Sequence, residues 1–161
     1  AKIYAEVLGA GITADAHDIA QPDPSGQGGA RAMVIAMREA NIQPSDIVHI
    51  NAHATSTPLG DIAEGLMIHA TMGAAADRVV LTSTKSMTGH LLGGAGGIES
   101  VFTALAVKNQ ISPPTINIFN QDPECDLDYC ANAAREMKIE HAVKNNFGFG
   151  GTNGTLVFKR V

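Results

Sequence analysis

Two short, almost wholly apolar runs, Asp46 to Ile50 (DIVHI) and Val79 to Thr82 (VVLT), each empty into a polar loop and then into a helix-like pattern. A strand of that kind is buried on both faces, the habit of parallel strands covered by helices. The repeated order of strand, polar loop and helix therefore restricts the chain to an α/β fold. The first loop is Asn51 to Pro58 (NAHATSTP) and the second is Ser83 to Gly89 (STKSMTG). Loops leaving buried strands are where open α/β sheets place their ligands.

The remaining elements arrange themselves around this pair. AKIYAEVLGA at 1 to 10 alternates and then meets Gly9 and Gly11, which predicts a strand starting almost at the first residue and suggests an excised piece. Asp23, Pro24 and Ser25 can cap a helix over 26–41, with Met33, Met37 and Ala40 at helical spacing. A second helix is expected from Gly60 to about Thr71, with Ile62, Leu66 and His69 or Ala70 inward and Gly73 as its stop. Asp61 and Glu64 suit its positive N-terminus. A third is expected from about His90 to Lys108, before the Pro113-Pro114 pair. Leu127 to Ala131, Ala142 to Asn145 and Thr155 to Phe158 read as strands, the last two joined by the glycine loop 148–154 (GFGGTNG). No linker interrupts the pattern, so 1–161 is expected to be one domain.

Composition removes several classes of function. The 161 residues are 45% apolar, enough to close one core. No apolar run approaches the roughly 20 residues of a membrane-spanning helix. No charged-then-apolar leader opens the sequence, and a soluble cytoplasmic protein is the expectation. With a net charge of −5 and scattered Lys and Arg, there is no footprint for nucleic acid. Cys125 and Cys130 enclose four residues (DLDY), a spacing of neither a zinc knuckle nor a redox dithiol.

The loops hold the candidate chemistry. His53 stands among small and hydroxyl residues just past a strand, where it is either a hydrogen-bonded structural histidine or a functional one. The second loop favours function, because it brings Lys85 and His90 to the end of a neighbouring strand. His90 is expected to open a helix containing Gly93, Gly94, Gly96 and Gly97. Each interior glycine costs about 1 kcal/mol relative to alanine, so such a helix needs tertiary packing and admits another backbone closely. The positive end of that helix would keep His90 neutral, and a neutral imidazole can donate a hydrogen bond to a developing oxyanion. Glu99, on the same helix, is costly to bury unpaired, and Lys85 is its expected partner.

The loop from Asn145 to Gly154 sets Phe147 and Phe149 among glycines. It is a poor phosphate cradle, since no helix follows and no P-loop lysine is present. A hinge, a backbone N–H oxyanion donor and a plain turn packing two phenylalanines all remain open for it. His49 and His53 do not converge on a metal from a strand and a loop, and no metal site is expected. No GxSxG elbow occurs, and neither cysteine has an activating helix end or basic neighbour. The chain thus shows electrophilic helpers without a nucleophile.

NAHATSTPLGD at 51–61, STKSMTGHLLGGAGGIES at 83–100, PPTIN at 113–117 and NNFGFGGTNG at 145–154 together closely resemble the elongating β-ketoacyl-[acyl carrier protein] synthases. The resemblance runs in order over practically the whole chain. It is to the type II fatty-acid form, since the modular polyketide form has motifs resembling EAHGTGT and KSNIGH. It implies a thiolase-like fold, in which two similar α/β halves face each other. This chain would be the C-terminal half, with layered helices on a mixed five-stranded sheet. The family's catalytic cysteine, in a motif resembling TACSS, belongs to the other half and has no counterpart here.

By the same resemblance, His53 and His90 bind the malonyl thioester carbonyl, promote decarboxylation and stabilise the enolate that attacks an acyl group on that cysteine. Lys85 supports His90, and Glu99 organises Lys85. Phe149 matches a gating phenylalanine whose N–H contributes to the acyl oxyanion hole, and Thr55 and Thr57 match hydroxyls that contact the phosphopantetheine arm. Ala54, where most members carry glycine, is a departure. The implied partners are an acyl carrier protein, the missing N-terminal half and, for the full-length parent, a second copy. No cofactor of its own is implied, because phosphopantetheine arrives on the carrier protein. The fragment alone is expected to be inactive. A non-catalytic partner of the chain-length-factor type is the alternative, and intact His53, Lys85 and His90 speak against it.

Overall fold

A computed structural model of the chain describes residues 1–161. Its elements are β1 (Glu6–Ala14), α1 (Gln27–Ala40), β2 (Ile47–Asn51), α2 (Pro58–Met72), β3 (Val80–Thr82), α3 (Lys85–Thr88), α4 (Ala95–Asn109), β4 (Ile111–Ser112), β5 (Arg135–Glu136), β6 (His141–Gly148) and β7 (Thr152–Lys159). Five strands form one sheet in the order β1-β7-β6-β2-β3, while β4 and β5 form a separate small ladder. β2 runs parallel to both β3 and β6, and β7 is antiparallel to β6 and β1, so the sheet is mixed as expected.

Alternate residues of the central strands face opposite sides. Ile50, Val143 and Val157 join Met33 and Met37 of α1 and Met67 and Ile68 of α2 in the larger core. Ala142 and Phe158 point the other way, onto Ala106 and Val107 of α4. Helices therefore cover both faces, and the apolar character of β2 and β3 follows from that burial. No helix is long and apolar enough to cross a membrane.

Several boundaries differ from the sequence reading, each for a physical reason. β1 does not stop at its glycines but runs through them. A Cβ at Gly9 would lie 2.4 Å from the Ala36 carbonyl oxygen, and one at Gly11 would lie 1.9 Å from that of Ala32. These glycines let α1 rest directly on the strand. α1 starts after Gly26, which is left-handed at φ 66 and gives no side-chain cap. The Asp23 carboxylate instead accepts from the Ser25 N–H at 2.9 Å within the preceding turn. In α2 the inward residues are Ala63, Glu64, Met67, Ile68 and Met72. Leu66 is 51% exposed, and His69 Nε2 reaches Asp126 Oδ1 at 2.7 Å on the surface. Apolar residues occur on more than one face of this helix, so periodicity alone could not choose the buried one.

The expected single helix from His90 to Lys108 begins only at Ala95, as α4, after a 3-10 turn at Leu92–Gly94, and the one-turn α3 lies before His90. Gly89 at φ 73 ends α3, Leu92 at φ 50 interrupts the expected helix, and two of its four glycines fall outside any α-helix. Leu127 to Ala131 forms no strand and makes only isolated bridges, Val80 with Asp128 and Thr115 with Ala131.

Candidate active site

The two polar loops leave adjacent parallel strands and are tied together. Ala52 N–H donates to the Thr82 carbonyl at 2.8 Å, and Ser83 Oγ donates to the Ala54 carbonyl at 2.7 Å. The PPTIN segment braces the second loop, with Thr115 Oγ1 accepting from Ser83 N–H at 2.9 Å and Ser86 Oγ accepting from Ile116 N–H at 3.0 Å. The first loop is held from beneath by Glu64. Its carboxylate, 3% exposed, accepts from the backbone N–H groups of His53 and Ala54 at 2.9 and 2.8 Å. Serving the positive end of α2 is therefore not the role of Glu64. Burial raises its pKa, while those two N–H groups work in the opposite direction.

His53 and His90 meet edge to face, with ring centroids 5.5 Å apart and planes at 87°. Burial, then the charges of Lys85, Lys144 and His90, push the His53 pKa down to about 3. The His53 imidazole is therefore neutral near pH 7, and its buried Nδ1 has no hydrogen-bond partner. His90 Nδ1 accepts from the Leu92 N–H at 3.1 Å, so in a neutral His90 ring the proton sits on Nε2, which is left to donate. His90 precedes α4 by five residues rather than opening it, so the helix-end argument does not apply to it.

Behind the imidazoles lies a buried charge cluster. Lys85 Nζ is 2.7 Å from Glu99 Oε1, with side-chain exposures of 4% and 1%. That contact is an ion pair without the alignment of a hydrogen bond. Lys144, from β6, places its Nζ 2.7 Å from the other oxygen, Oε2. Asn146 Nδ2 also donates to Oε2, at 3.3 Å. Burial raises the Glu99 pKa, but the two ammonium groups outweigh it and hold the carboxyl below its ordinary range. Asn51 Nδ2 donates to the Glu99 backbone carbonyl at 3.4 Å, joining the end of β2 to α4.

The structure thus brings His53, His90, Lys85 and Glu99 into one cluster. Thr55 and Thr57 follow His53 in the first loop, with exposed hydroxyls 3.1 Å apart. Phe149 stands apart, 80% exposed in the turn between β6 and β7. The aromatic against the site is Phe147, whose ring lies 5.2 Å from that of His53. No group of three His, Cys, Asp or Glu side chains converges on a metal position. Both cysteines are free, and burial pushes the Cys125 thiol up, away from reactivity. Lys144, Glu64 and Phe147 are the parts the sequence reading does not find. The one signal for the first two is a charge in an apolar stretch: Lys144 follows Ala142-Val143 in a strand, and Glu64 shares the inward face of α2.

Two imidazoles meeting edge to face and a buried lysine–glutamate ion pair, at the ends of parallel strands, make up the candidate site. Residues 4–119 match the family model for the β-ketoacyl synthase C-terminal domain. The chain belongs to that family. It is 52% identical over 160 residues to 3-oxoacyl-[acyl-carrier-protein] synthase 2 of Staphylococcus aureus, an alignment covering 99% of this chain and 39% of the relative. The Coxiella burnetii protein of the same name is 50% identical over 161 residues, covering 100% and 39%. Among solved structures, a type II polyketide acyl-carrier protein in complex with its ketosynthase bound to the hexaketide matches with a TM-score of 0.97 and 38% identity, covering 100% of this chain and 40% of that one. A β-ketoacyl synthase from Burkholderia phymatum matches with a TM-score of 0.93 and 39% identity, covering 100% and 38%. The fold is therefore that of the thiolase-like condensing enzymes, and the chain spans about two fifths of the length of these relatives.

Proposed function

We propose that the chain is the C-terminal portion of a condensing enzyme that elongates acyl chains by decarboxylative Claisen condensation of a malonyl group on acyl carrier protein. The observation that carries this reading is the edge-to-face pair of His53 and His90 over the Lys85–Glu99 ion pair. Breaking the bond between the malonyl carboxylate and its methylene carbon releases carbon dioxide and leaves the electron pair as an enolate. The charge gathers on the thioester oxygen, where two imidazole N–H donors stabilise it. One preorganised donor to such an oxyanion is worth about 2.7 to 4 kcal/mol in activation free energy. The enolate carbon then attacks the acyl thioester carbon, and a cysteine thiolate leaves.

That cysteine comes from polypeptide outside this chain. Lys85 supports the His90 side, Glu99 orders Lys85, and Thr55 and Thr57 contact the phosphopantetheine arm. Phe149, exposed on its turn, is suited to gate the acyl entrance and to offer its backbone N–H to the acyl oxyanion. Phosphopantetheine enters on the carrier protein, so the chain needs no cofactor of its own. An acyl carrier protein, the N-terminal half and a second copy of the full-length enzyme are its partners, in the cytoplasm. The complex of a related ketosynthase with its acyl-carrier protein supports the first of these. A chain-length-factor role fits less well, because it needs none of His53, His90 and Lys85.

The reading is tested by giving acyl and malonyl carrier-protein substrates to the full-length enzyme and to the isolated chain. A 3-oxoacyl product is expected, by mass spectrometry, from the first and not from the second. Product from the isolated chain, or none from the full-length enzyme, contradicts it.

A further inference from the structure

Glu99 carries two lysines where one would neutralise it. Burying an ammonium group has a desolvation cost of several kcal/mol even after relaxation. Yet Lys144 is only 2% exposed, in the middle of the central strand β6. Its Nζ meets Glu99 Oε2 at 2.7 Å and donates to the Asn145 carbonyl. Lys85 already holds the other oxygen of the same carboxylate. The second charge therefore needs another explanation than pairing Glu99. Its position offers one. In the parallel pairing of β2 with β6, Lys144 lies opposite Asn51, the last residue before the loop that carries His53. Lys144 and Asn51 both contact Glu99, so they share the face that α4 covers.

We propose that Lys144 is a positioning residue of the condensation site: from β6 it completes a Lys85–Glu99–Lys144 clamp at the strand ends that carry the His53 loop, and its positive charge adds to the forces that oppose a second proton on that imidazole. The charged and titratable groups around His53 are Lys85 on α3, Glu99 on α4, Lys144 on β6, His90 on the second loop and Glu64 on α2. Burial is the largest influence against a proton on His53, and the charges of Lys85 and Lys144 add to it. Glu64 faces the backbone of the His53 loop and pulls the other way. Burial lowers the Lys144 pKa to about 8, with Glu99 supporting the charge and Lys85 opposing it, so the ammonium form persists at neutral pH. The inference rests on the proposed condensing function, because a neutral His53 matters where an oxyanion develops.

The test compares the full-length wild-type enzyme with K144M, which keeps the volume of the stem without the charge, K144Q, and K144R, which keeps the charge. Two quantities are followed against pH: the imidazole 15N signals of His53, and the release of carbon dioxide from malonyl carrier protein. In K144M and K144Q, protonation of His53 is expected about half a pH unit or more above wild type, with the acid limb of decarboxylation moving the same way. K144R is expected to titrate like wild type. A role confined to packing would lower the melting temperature and leave both titrations unmoved. His53 titrations of K144M and K144Q that overlay wild type overturn the proposal. Loss of fold in both neutral variants also overturns it, since Lys85 alone satisfies Glu99 on this account. A wild-type enzyme that releases no carbon dioxide refutes the condensing function instead, and the His53 signals still judge Lys144.

Discussion

Glu99 sits 1% exposed between two ammonium groups, and its removal would leave Lys85 and Lys144 charged and unpaired in the interior. Breaking a buried pair from one side typically costs about 3 to 5 kcal/mol. Glu99→Ala in the full-length enzyme is expected to lose stability of that order in urea unfolding, and a loss below about 1 kcal/mol would contradict the clamp. The Lys85–Glu99 pair is legible in the sequence because a glutamate on an otherwise apolar helix must find a cation, and Lys85 stands in the adjacent loop. Lys144 is not legible, because a lone lysine in a short strand is by default a solvated end. Only the three-dimensional pairing of β6 with β2 turns it inward. The same limit applies to Phe147 and Phe149. Alternation puts them on one side of a strand, but the turn that begins at Phe149 separates them.

The elements are held in place by close approaches at specific glycines. Gly11→Ala would set a methyl group 1.9 Å from the Ala32 carbonyl oxygen, a backbone atom that cannot swing aside. Overpacking of this kind costs about 1 to 3 kcal/mol or more, so the variant is expected to melt several degrees lower. A melting temperature equal to wild type would show that α1 does not rest on β1 as described. The order of strands, loops and helices is readable because buried parallel strands and their polar exits have a distinct pattern. The limits of β1 and of the helix after His90 are not. A glycine that ends a strand and one that seats a helix look alike until the helix is docked. Gly93 and Gly94 belong to the 3-10 turn while Gly96 and Gly97 open α4, and only the backbone conformation, with Leu92 at φ 50, distinguishes the two pairs.

For the molecule as a whole, pH and exposed surface carry the remaining consequences. His49, fully buried on β2, is held at a pKa of about 4 by desolvation, against an ordinary 6.5, with a hydrogen bond involving the Val80 backbone working the other way. A depressed folded-state pKa means that protons favour the unfolded chain. The His49 contribution to stability is therefore complete above about pH 6.5 and is lost as the pH falls from 6.5 toward 4. His49→Asn is expected to lose less stability than wild type across that window, whereas parallel curves would contradict the assignment. Beside the site, a groove of about 400 Å³ is lined by apolar side chains including Met87, Phe102, Leu105 and Pro113. Leu92 and Val101 are exposed as well, at 72% and 55%. An apolar surface of this extent promotes association, so the isolated chain is expected to run above monomer mass in light scattering, and a monodisperse monomer would count against that. The central claim concerns the paired imidazoles, and carbon dioxide release from malonyl carrier protein by the full-length enzyme tests it most directly. The account predicts that His53→Ala and His90→Ala each abolish that release in folded protein, with a fall of about 100-fold or more, and near wild-type release by either variant would contradict it.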